Sequence, residues 1–140
     1  MSAPIFDHEK LKAYQEALRF IGWITPIIDR LPGRVAAKDQ LDRASTSIAL
    51  NLAEGNGKRS HPDRCRFFDI ARGSGVECAA CLDVLRVKQL VSDDEVTIGK
   101  SILIEVVSMT AGLIARFGGA VHEDAANYLS NEEIEEKEKD

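Results

Sequence analysis

The sequence predicts an all-α protein, an antiparallel up-and-down four-helix bundle. Apolar residues recur every three or four positions in four separate segments, which is the period of a helix with one buried face. Glycine, proline and capping residues separate these segments, so the connections are short. No segment shows the strict alternation of a half-buried strand. Long helices joined by short turns favour antiparallel neighbours in a bundle.

The signals for helix ends predict four helices, at about 8–30, 36–56, 61–90 and 93–117. Leu31-Pro32-Gly33 ends the first helix, and Gly55 and Gly57 are predicted to end the second. Ser60 can cap the third helix, since its hydroxyl can accept a free backbone N–H. The stretch Ser92-Asp93-Asp94-Glu95 has the pattern of a capping box and begins the fourth.

Composition indicates one soluble domain with a core, because 44% of the 140 residues are hydrophobic and 29% are charged. The longest uninterrupted apolar runs are too short for a membrane span, so we expect no membrane partner. The N-terminus lacks the basic and apolar regions of a signal peptide. Three cysteines are an odd number, which favours reduced thiols and a cytoplasmic location.

Charge is unevenly distributed along the chain, which carries a net charge of −5. Up to Val91 there are 14 Lys+Arg against 11 Asp+Glu, net +3, and from Ser92 onward 4 against 12, net −8. Much of the acid lies in the final NEEIEEKEKD. We therefore predict a bundle domain over residues 1–119 and an acidic, disordered tail over 120–140.

The stretch NLAEGNGKRS, residues 51–60, has the Gly-Lys pair of a phosphate-binding loop. Such a loop needs a second glycine where Leu52 lies, and a hydroxyl where Arg59 lies. A helical pattern precedes it in place of a strand. The glycines are therefore interpreted as a chain reversal between the second and third helices.

The third helix has an unusual number of glycines and apolar residues. Gly73 and Gly75 each cost about 1 kcal/mol relative to alanine, so we expect another backbone to approach closely, in the bundle or from another subunit. The apolar residues form a face wider than one core stripe: Phe67, Phe68, Ile70, Val84, Leu85 and Val87. Such a face predicts a partner surface and hence an oligomer.

Four motifs in this order, DQLDRASTSI (39–48), NLAEG (51–55), RFFDIARGS (66–74) and Glu77, resemble the four helix bundle protein family. It is also called the 23S ribosomal-RNA intervening-sequence protein family, because some members are encoded inside insertions in 23S rRNA genes. Accessory variability proteins of diversity-generating retroelements look like distant relatives. The resemblance extends from about Phe6 to Phe117.

The resemblance implies four antiparallel helices per chain and a ring-like homo-oligomer of five chains with a central channel. It implies a poorly defined function, with nucleic-acid binding as the usual proposal. At three positions the chain departs from the family, since members often have Pro at Ala49, Leu at Gly75 and Arg at Lys58. The motif residues to which we assign a structural or interface role are Arg43, Asn51, Glu54, Gly55, Gly73, Ser74 and Glu77.

A basic cluster at the second turn and third helix is the candidate nucleic-acid-binding surface: Lys58, Arg59, Arg64, Arg66 and Arg72. One hypothesis is that these cations contact RNA or DNA phosphates. The other is a protein-interaction scaffold in which they pair with Glu54, Asp63, Asp69 or Glu77 across interfaces. No exposed aromatic is expected between them, as single-strand binders would require.

Other chemistry has little support in the sequence, and we predict a protein that is not an enzyme, with no cofactor, metal or small-molecule substrate. Arg43, Asn51, Glu54, Arg72 and Glu77 are interpreted as a buried hydrogen-bonded network that sets helix register or a subunit interface. Cys78 and Cys81 form a CxxC in mid-helix, where buried apolar packing is expected rather than redox chemistry. The histidines lack zinc-ligand spacing.

Overall fold

The structure, a computed structural model, describes residues 5–118. A short 3-10 helix, Asp7–Lys10, precedes α1, Lys12–Arg30, and the other helices are α2, Ala36–Asn56, α3, His61–Val87, and α4, Asp93–Phe117. Among these residues there is no strand. The bounds agree with the predicted helices, except that α1 begins later and α3 ends three residues earlier. The predicted tail, 120–140, lies outside the described residues.

Contacts between helix ends show that sequential helices run antiparallel. Asn56 at the end of α2 donates a hydrogen bond to Asp7, with 2.9 Å between the amide nitrogen and the carboxylate oxygen. Cys65 near the start of α3 lies 3.6 Å from the carbonyl oxygen of Ile114 near the end of α4. The main packing is between sequential helices and between α1 and α4, so the four helices close into a bundle.

The core runs through the centre of the bundle and draws on all four helices. Its large, fully buried side chains include Phe20, Ile24, Leu41, Ile48, Leu52, Phe68, Leu82, Leu85, Leu103 and Val106. Burying one such side chain contributes about 1.5 to 3 kcal/mol. Cys65, Cys78 and Cys81 are buried too, and burial is the main cause that raises the pKa of each thiol. This confirms the interpretation of the CxxC as packing, since redox cysteines need a lowered pKa.

The chain reverses between α2 and α3 as predicted, with Gly57 at the end of α2, but Gly55 has a packing role inside the helix. Gly55 lies inside α2, and a Cβ there would be 2.8 Å from the Phe68 ring and 3.1 Å from the carbonyl oxygen of Arg64. Gly57 caps α2 at a φ of −84°, which any residue can adopt. The positive φ among the described non-glycine residues, 62°, belongs to Gln89 after α3.

The two glycines of α3 differ in their surroundings. A Cβ at Gly75 would lie 2.9 Å from Cγ2 of Val107, so α4 approaches α3 closely there. A leucine at this position would require Val107 to move. Gly73 has nothing within 4 Å of its Cβ position. The expected close approach is therefore confirmed within the chain for Gly75 only.

An exposed, largely apolar face runs along α3 on the side away from the core. We call it the α3 outer face: Ile70, Gly73, Val76, Ala80, Val84 and Val87. Val87 is 83% exposed and Val76 50%. Glu77 and Asp83 are exposed charged residues beside these positions. This confirms that α3 has a second apolar face. The outward face of a surface helix is normally polar.

The prediction that no segment is apolar enough to span a membrane, made from the length of uninterrupted apolar runs, was too strict. By length and composition α4 is long enough and apolar enough to cross a membrane. Its most deeply buried apolar residues, including Ile102, Leu103 and Val106, pack in the bundle core. About 33% of this apolar stretch is buried in the bundle, and α4 also has exposed apolar side chains such as Ile104.

Arg30 at the end of α1 joins Glu95 at the start of α4. The guanidinium donates two hydrogen bonds, 2.7 Å to Oε2 and 2.6 Å to Oε1 of Glu95. Glu95 also accepts from the backbone N–H of Ser92, and the Ser92 hydroxyl accepts from the N–H of Glu95, as the capping box predicts. The hydrogen bond from Arg30 is the main cause that lowers the pKa of Glu95 to about 2.

Replacing Glu95 should lower stability in a pH-dependent way. Because the pKa of Glu95 is lowered in the folded chain, its contribution is complete above the ordinary value of 4.5 and is lost as pH falls through about 2. We expect Glu95→Gln to lower the free energy of unfolding by about 1 to 2 kcal/mol at pH 7, allowing for the half-exposed Arg30. Urea denaturation between pH 7 and pH 2 measures this.

The exposed neighbour Asp94 provides the control, and Asp94→Asn should change stability by less than about 0.5 kcal/mol. A destabilisation by Glu95→Gln that is the same at pH 7 and at pH 2.5 would contradict the assignment.

Gly55→Ala should destabilise the fold by about 1 to 3 kcal/mol, because its methyl group would overlap the Phe68 ring beside a fixed backbone oxygen. Gly112→Ala is the matched control, since nothing lies within 4 Å of a Cβ at that helical position. The control should stabilise the chain by about 0.5 to 1 kcal/mol. Thermal unfolding followed by circular dichroism measures both, and an equal shift in the two variants would refute the packing role.

Candidate nucleic-acid interface at the α2–α3 end

The turn between α2 and α3 brings basic side chains together at one end of the bundle. The Ser60 hydroxyl accepts a hydrogen bond from the backbone N–H of Asp63, which caps α3 as predicted. The turn is short, so Lys58 and Arg59 lie beside the first turns of α3. Those turns carry Arg64 and Arg66.

Two half-buried phenylalanine rings hold four cations at this end. The ammonium of Lys58 and the guanidinium of Arg66 lie 4.9 Å and 5.0 Å from the centre of the Phe67 ring. The guanidinium groups of Arg64 and Arg116 lie 4.9 Å and 5.1 Å from the centre of the Phe117 ring. We call the cationic surface the basic corner: Lys58, Arg59, Arg64, Arg66 and Arg116.

Phe117 is the residue that joins the end of α4 to this corner. Its ring centre lies 5.2 Å from that of His61 and 6.2 Å from that of Phe68. No exposed aromatic residue was expected between the cations, and the rings of Phe67 and Phe117 that lie there are half-buried. Arg116 and Phe117 were missed because helical period alone does not place the end of one helix beside the start of another. The antiparallel order of α3 and α4 was the signal that could have found them.

Nearby carboxylates offset part of the positive charge. Lys58 lies 3.7 Å from Glu54, and Arg66 lies 3.7 Å from Asp63, each measured between the charged atoms. Both pairs are exposed and connect residues three or four apart, so each contributes little to stability. With Asp7 at the edge, five cations face three carboxylates, net +2. These pairs form within one chain, whereas the scaffold hypothesis predicts pairing across interfaces.

Arg72 lies apart from the other predicted phosphate contacts. It is almost two turns further along α3 than Arg66, and its side chain is only 11% exposed. Its guanidinium Nε lies 3.8 Å from Asp69. Phosphate binding requires access to the cation, so Arg72 is not included in the basic corner.

The seam between α2 and α3 holds part of the family motif. The hydroxyls of Ser47 and Ser74 are 2.9 Å apart, and the amide of Asn51 donates to the carbonyl and hydroxyl oxygens of Ser47. Together with the Gly55–Phe68 contact, these bonds set the register of the two helices. Asn51, Gly55 and Ser74 thus all lie in the packed seam between α2 and α3.

The remaining motif residues lie at the margin of that seam. Arg43, Glu54 and Glu77 are exposed, so the buried network that included them is wrong within one chain. Charged groups keep their hydration at the margin, where burial would cost several kcal/mol. Arg43 and Glu77 line a shallow groove of about 300 Å³ whose other walls are Gln40, Ala44, Ser47 and Ser74.

The carboxylates with shifted pKa values lie far from the basic corner, at the other end of the bundle. Glu95 is paired with Arg30, and Asp93 with Arg86, and in both pairs the arginine lowers the pKa of the carboxylate. Within residues 5–118, no three His, Cys, Asp or Glu side chains are grouped to hold a metal ion. The geometry of the basic corner suits binding of an extended anion.

Comparison with known proteins establishes the family. The model of the 23S rRNA-intervening sequence protein family matches residues 9–112. The chain belongs to this family. The resemblance carried by the motifs of α2 and α3 is thereby confirmed. No curated protein matches the chain.

A solved structure confirms the fold of this family member. It is a protein of unknown function from the S23 ribosomal protein family of Bacteroides thetaiotaomicron, with a TM-score of 0.69 and 19% identity. The match covers 73% of this chain and 94% of that one. At this identity the likeness concerns the arrangement of the helices alone.

Proposed function

We propose that this protein is a non-enzymatic, self-assembling helical-bundle protein of the cytoplasm that binds RNA through its basic corner. The observation that carries the proposal is the set of four cations stacked on Phe67 and Phe117 at one end of the bundle. The family description, which refers to 23S rRNA, favours RNA over DNA as the partner.

The chemistry of the corner fits a single-stranded or looped RNA. Arginine guanidinium groups bind phosphate oxygens through two parallel hydrogen bonds. Unpaired bases stack on aromatic rings and on guanidinium planes, which supplies about 1 to 3 kcal/mol per base. Phe67 and Phe117 hold the guanidinium planes of Arg66, Arg64 and Arg116 in place, so less side-chain freedom is lost when a phosphate binds.

Binding of this kind depends strongly on salt. Each neutralised phosphate releases condensed counterions, so five contacts give a slope of about −3.5 for the logarithm of affinity against the logarithm of salt concentration. Several chains in one assembly multiply the number of corners that one RNA can reach. Assembly therefore matters for function even though each corner carries only a small net charge.

The α3 outer face supports self-assembly. It is exposed along most of the helix, and contiguous apolar surfaces of this kind mark association sites. Gly73 in its middle leaves room for a neighbouring backbone. The number of chains, five in a ring, is proposed from the family resemblance.

A protein-interaction scaffold without affinity for nucleic acid is the second candidate. The pairs of Lys58 with Glu54 and of Arg66 with Asp63 make these cations less available to phosphates, although they lie within one chain and are not the pairs across interfaces that a scaffold predicts. The scaffold predicts no RNA binding even at low salt.

Changing Arg59 and Arg64 to glutamate should abolish most RNA binding. The double change replaces two positive charges by two negative ones, and we expect at least a 100-fold loss of affinity at low salt, since each lost phosphate contact costs about 1 to 2 kcal/mol. Fluorescence polarisation with a labelled single-stranded RNA, over a salt series, measures it.

The matched control makes the same charge change at the other end of the bundle, with Arg34→Glu and Lys88→Glu. It should retain affinity within a few-fold, because the Debye length of about 10 Å screens charges at that distance. Equal losses in both double variants would show a response to net charge alone. Wild-type protein that does not bind at 50 mM salt would support the scaffold.

Val84→Glu should reduce the mass of the assembly, because it places a charge in the centre of an apolar contact. Leu18→Glu is the control, since Leu18 is an exposed apolar residue of α1 outside the α3 outer face. Light scattering gives the mass, and circular dichroism verifies the helix content of each variant. An unchanged mass for Val84→Glu, or an equal loss for Leu18→Glu, would exclude the α3 outer face as the contact.

A further inference from the structure

We infer that the acidic segment 119–140 of this chain docks on the basic corner and competes there with external polyanions. Docking of the segment is argued from the position of the end of α4 and from the charge and length of the segment. Competition with RNA rests on the proposed function. The inference gives the acidic C-terminal segment an autoinhibitory role.

The place where the segment leaves the bundle carries the first part of the inference. α4 ends at Phe117, whose ring is covered by the guanidinium groups of Arg64 and Arg116 and by the edge contact with His61. Gly118, the last described residue, therefore adjoins the basic corner.

Charge is complementary between the two parts. Residues 5–118 contain 16 Lys+Arg and 15 Asp+Glu, net +1, and the basic corner is where positive charge is concentrated. Residues 119–140 contain 2 Lys and 8 Asp+Glu, net −6. Its negative charge is densest at residues 132–138, where five of the seven residues are glutamate: Glu132, Glu133, Glu135, Glu136 and Glu138.

The length of the segment allows it to return to the corner. The run from Glu132 starts 14 residues beyond Gly118, a length that spans at most about 50 Å. A tether of this size produces an effective concentration of about 1 mM at a nearby site. An intramolecular contact that would be weak between separate molecules is therefore well occupied.

Occupation by the segment has a consequence for selectivity. An external anion must displace the carboxylates, so its apparent affinity is the intrinsic affinity multiplied by the fraction of chains in which the segment is free. An RNA that contacts several corners of an assembly can meet this cost, whereas an isolated phosphate cannot. The segment thus favours extended polyanions over small ones.

The first test detects docking directly in the full-length protein without RNA. A carbodiimide condenses lysine amines with neighbouring carboxylates, and mass spectrometry of the peptides locates each bond. We expect Lys58 to couple to residues 132–140 at low salt, with loss of the product in 1 M salt. Lys38 and Lys88, at the other end of the bundle, are internal controls, and equal coupling to all three lysines would overturn docking.

The second test measures competition with a labelled 20-nucleotide single-stranded RNA. The variant carries glutamine at 132, 133, 135, 136 and 138, and the control carries aspartate there, which retains the charge. We expect the glutamine variant to bind about 2- to 10-fold more tightly at low salt, and the aspartate variant to match the wild type. Equal affinity of the glutamine variant and the wild type would overturn competition.

The two tests separate failure of the inference from failure of the proposed function. Coupling of Lys58 to the segment without RNA binding by any variant supports docking and refutes RNA binding. RNA binding that is unchanged in the glutamine variant, without coupling of Lys58, refutes the inference and leaves the proposed function intact.

Discussion

The close contact between Gly55 and the Phe68 ring is the constraint on which the α2–α3 end of the bundle depends. Without a side chain at Gly55, the ring lies directly on α2 and reaches the ring of Phe117 from α4. Phe117 in turn carries Arg64 and Arg116. A residue with no chemistry of its own thus determines where the cations of three different segments meet.

The two ends of the bundle differ in how their charges are used. At the α1–α2 end, Arg30 makes two short hydrogen bonds to Glu95, and Arg86 pairs with Asp93 to close the α3–α4 turn. At the α2–α3 end, Lys58 and Arg66 each lie 3.7 Å from a carboxylate oxygen, and both also lie over the ring of Phe67. Ring contacts orient a cation without neutralising it, which leaves it able to bind an anion.

Between these ends, the surface of α3 changes character along its length. Its first turns carry the cations of the basic corner, and the α3 outer face from Ile70 to Val87 is largely apolar. Polar contacts such as Ser47–Ser74 lie in the seam with α2 and specify helix register rather than association. One helix therefore carries a cationic surface next to an exposed, largely apolar surface.

The sequence by itself determined the four helices, their caps and the apolar excess of α3, because these depend on local spacing and on nearest-neighbour hydrogen bonds. Ser60 and Ser92 cap their helices as their positions predict, and the buried cysteines follow the core stripe. The tertiary structure alone decided that Gly55 serves packing, that Arg72 is mostly covered and that Phe117 lies in the basic corner. Each of these depends on contacts between helices far apart in the chain, and helical period specifies only which side of a helix is buried, not which ring it will meet.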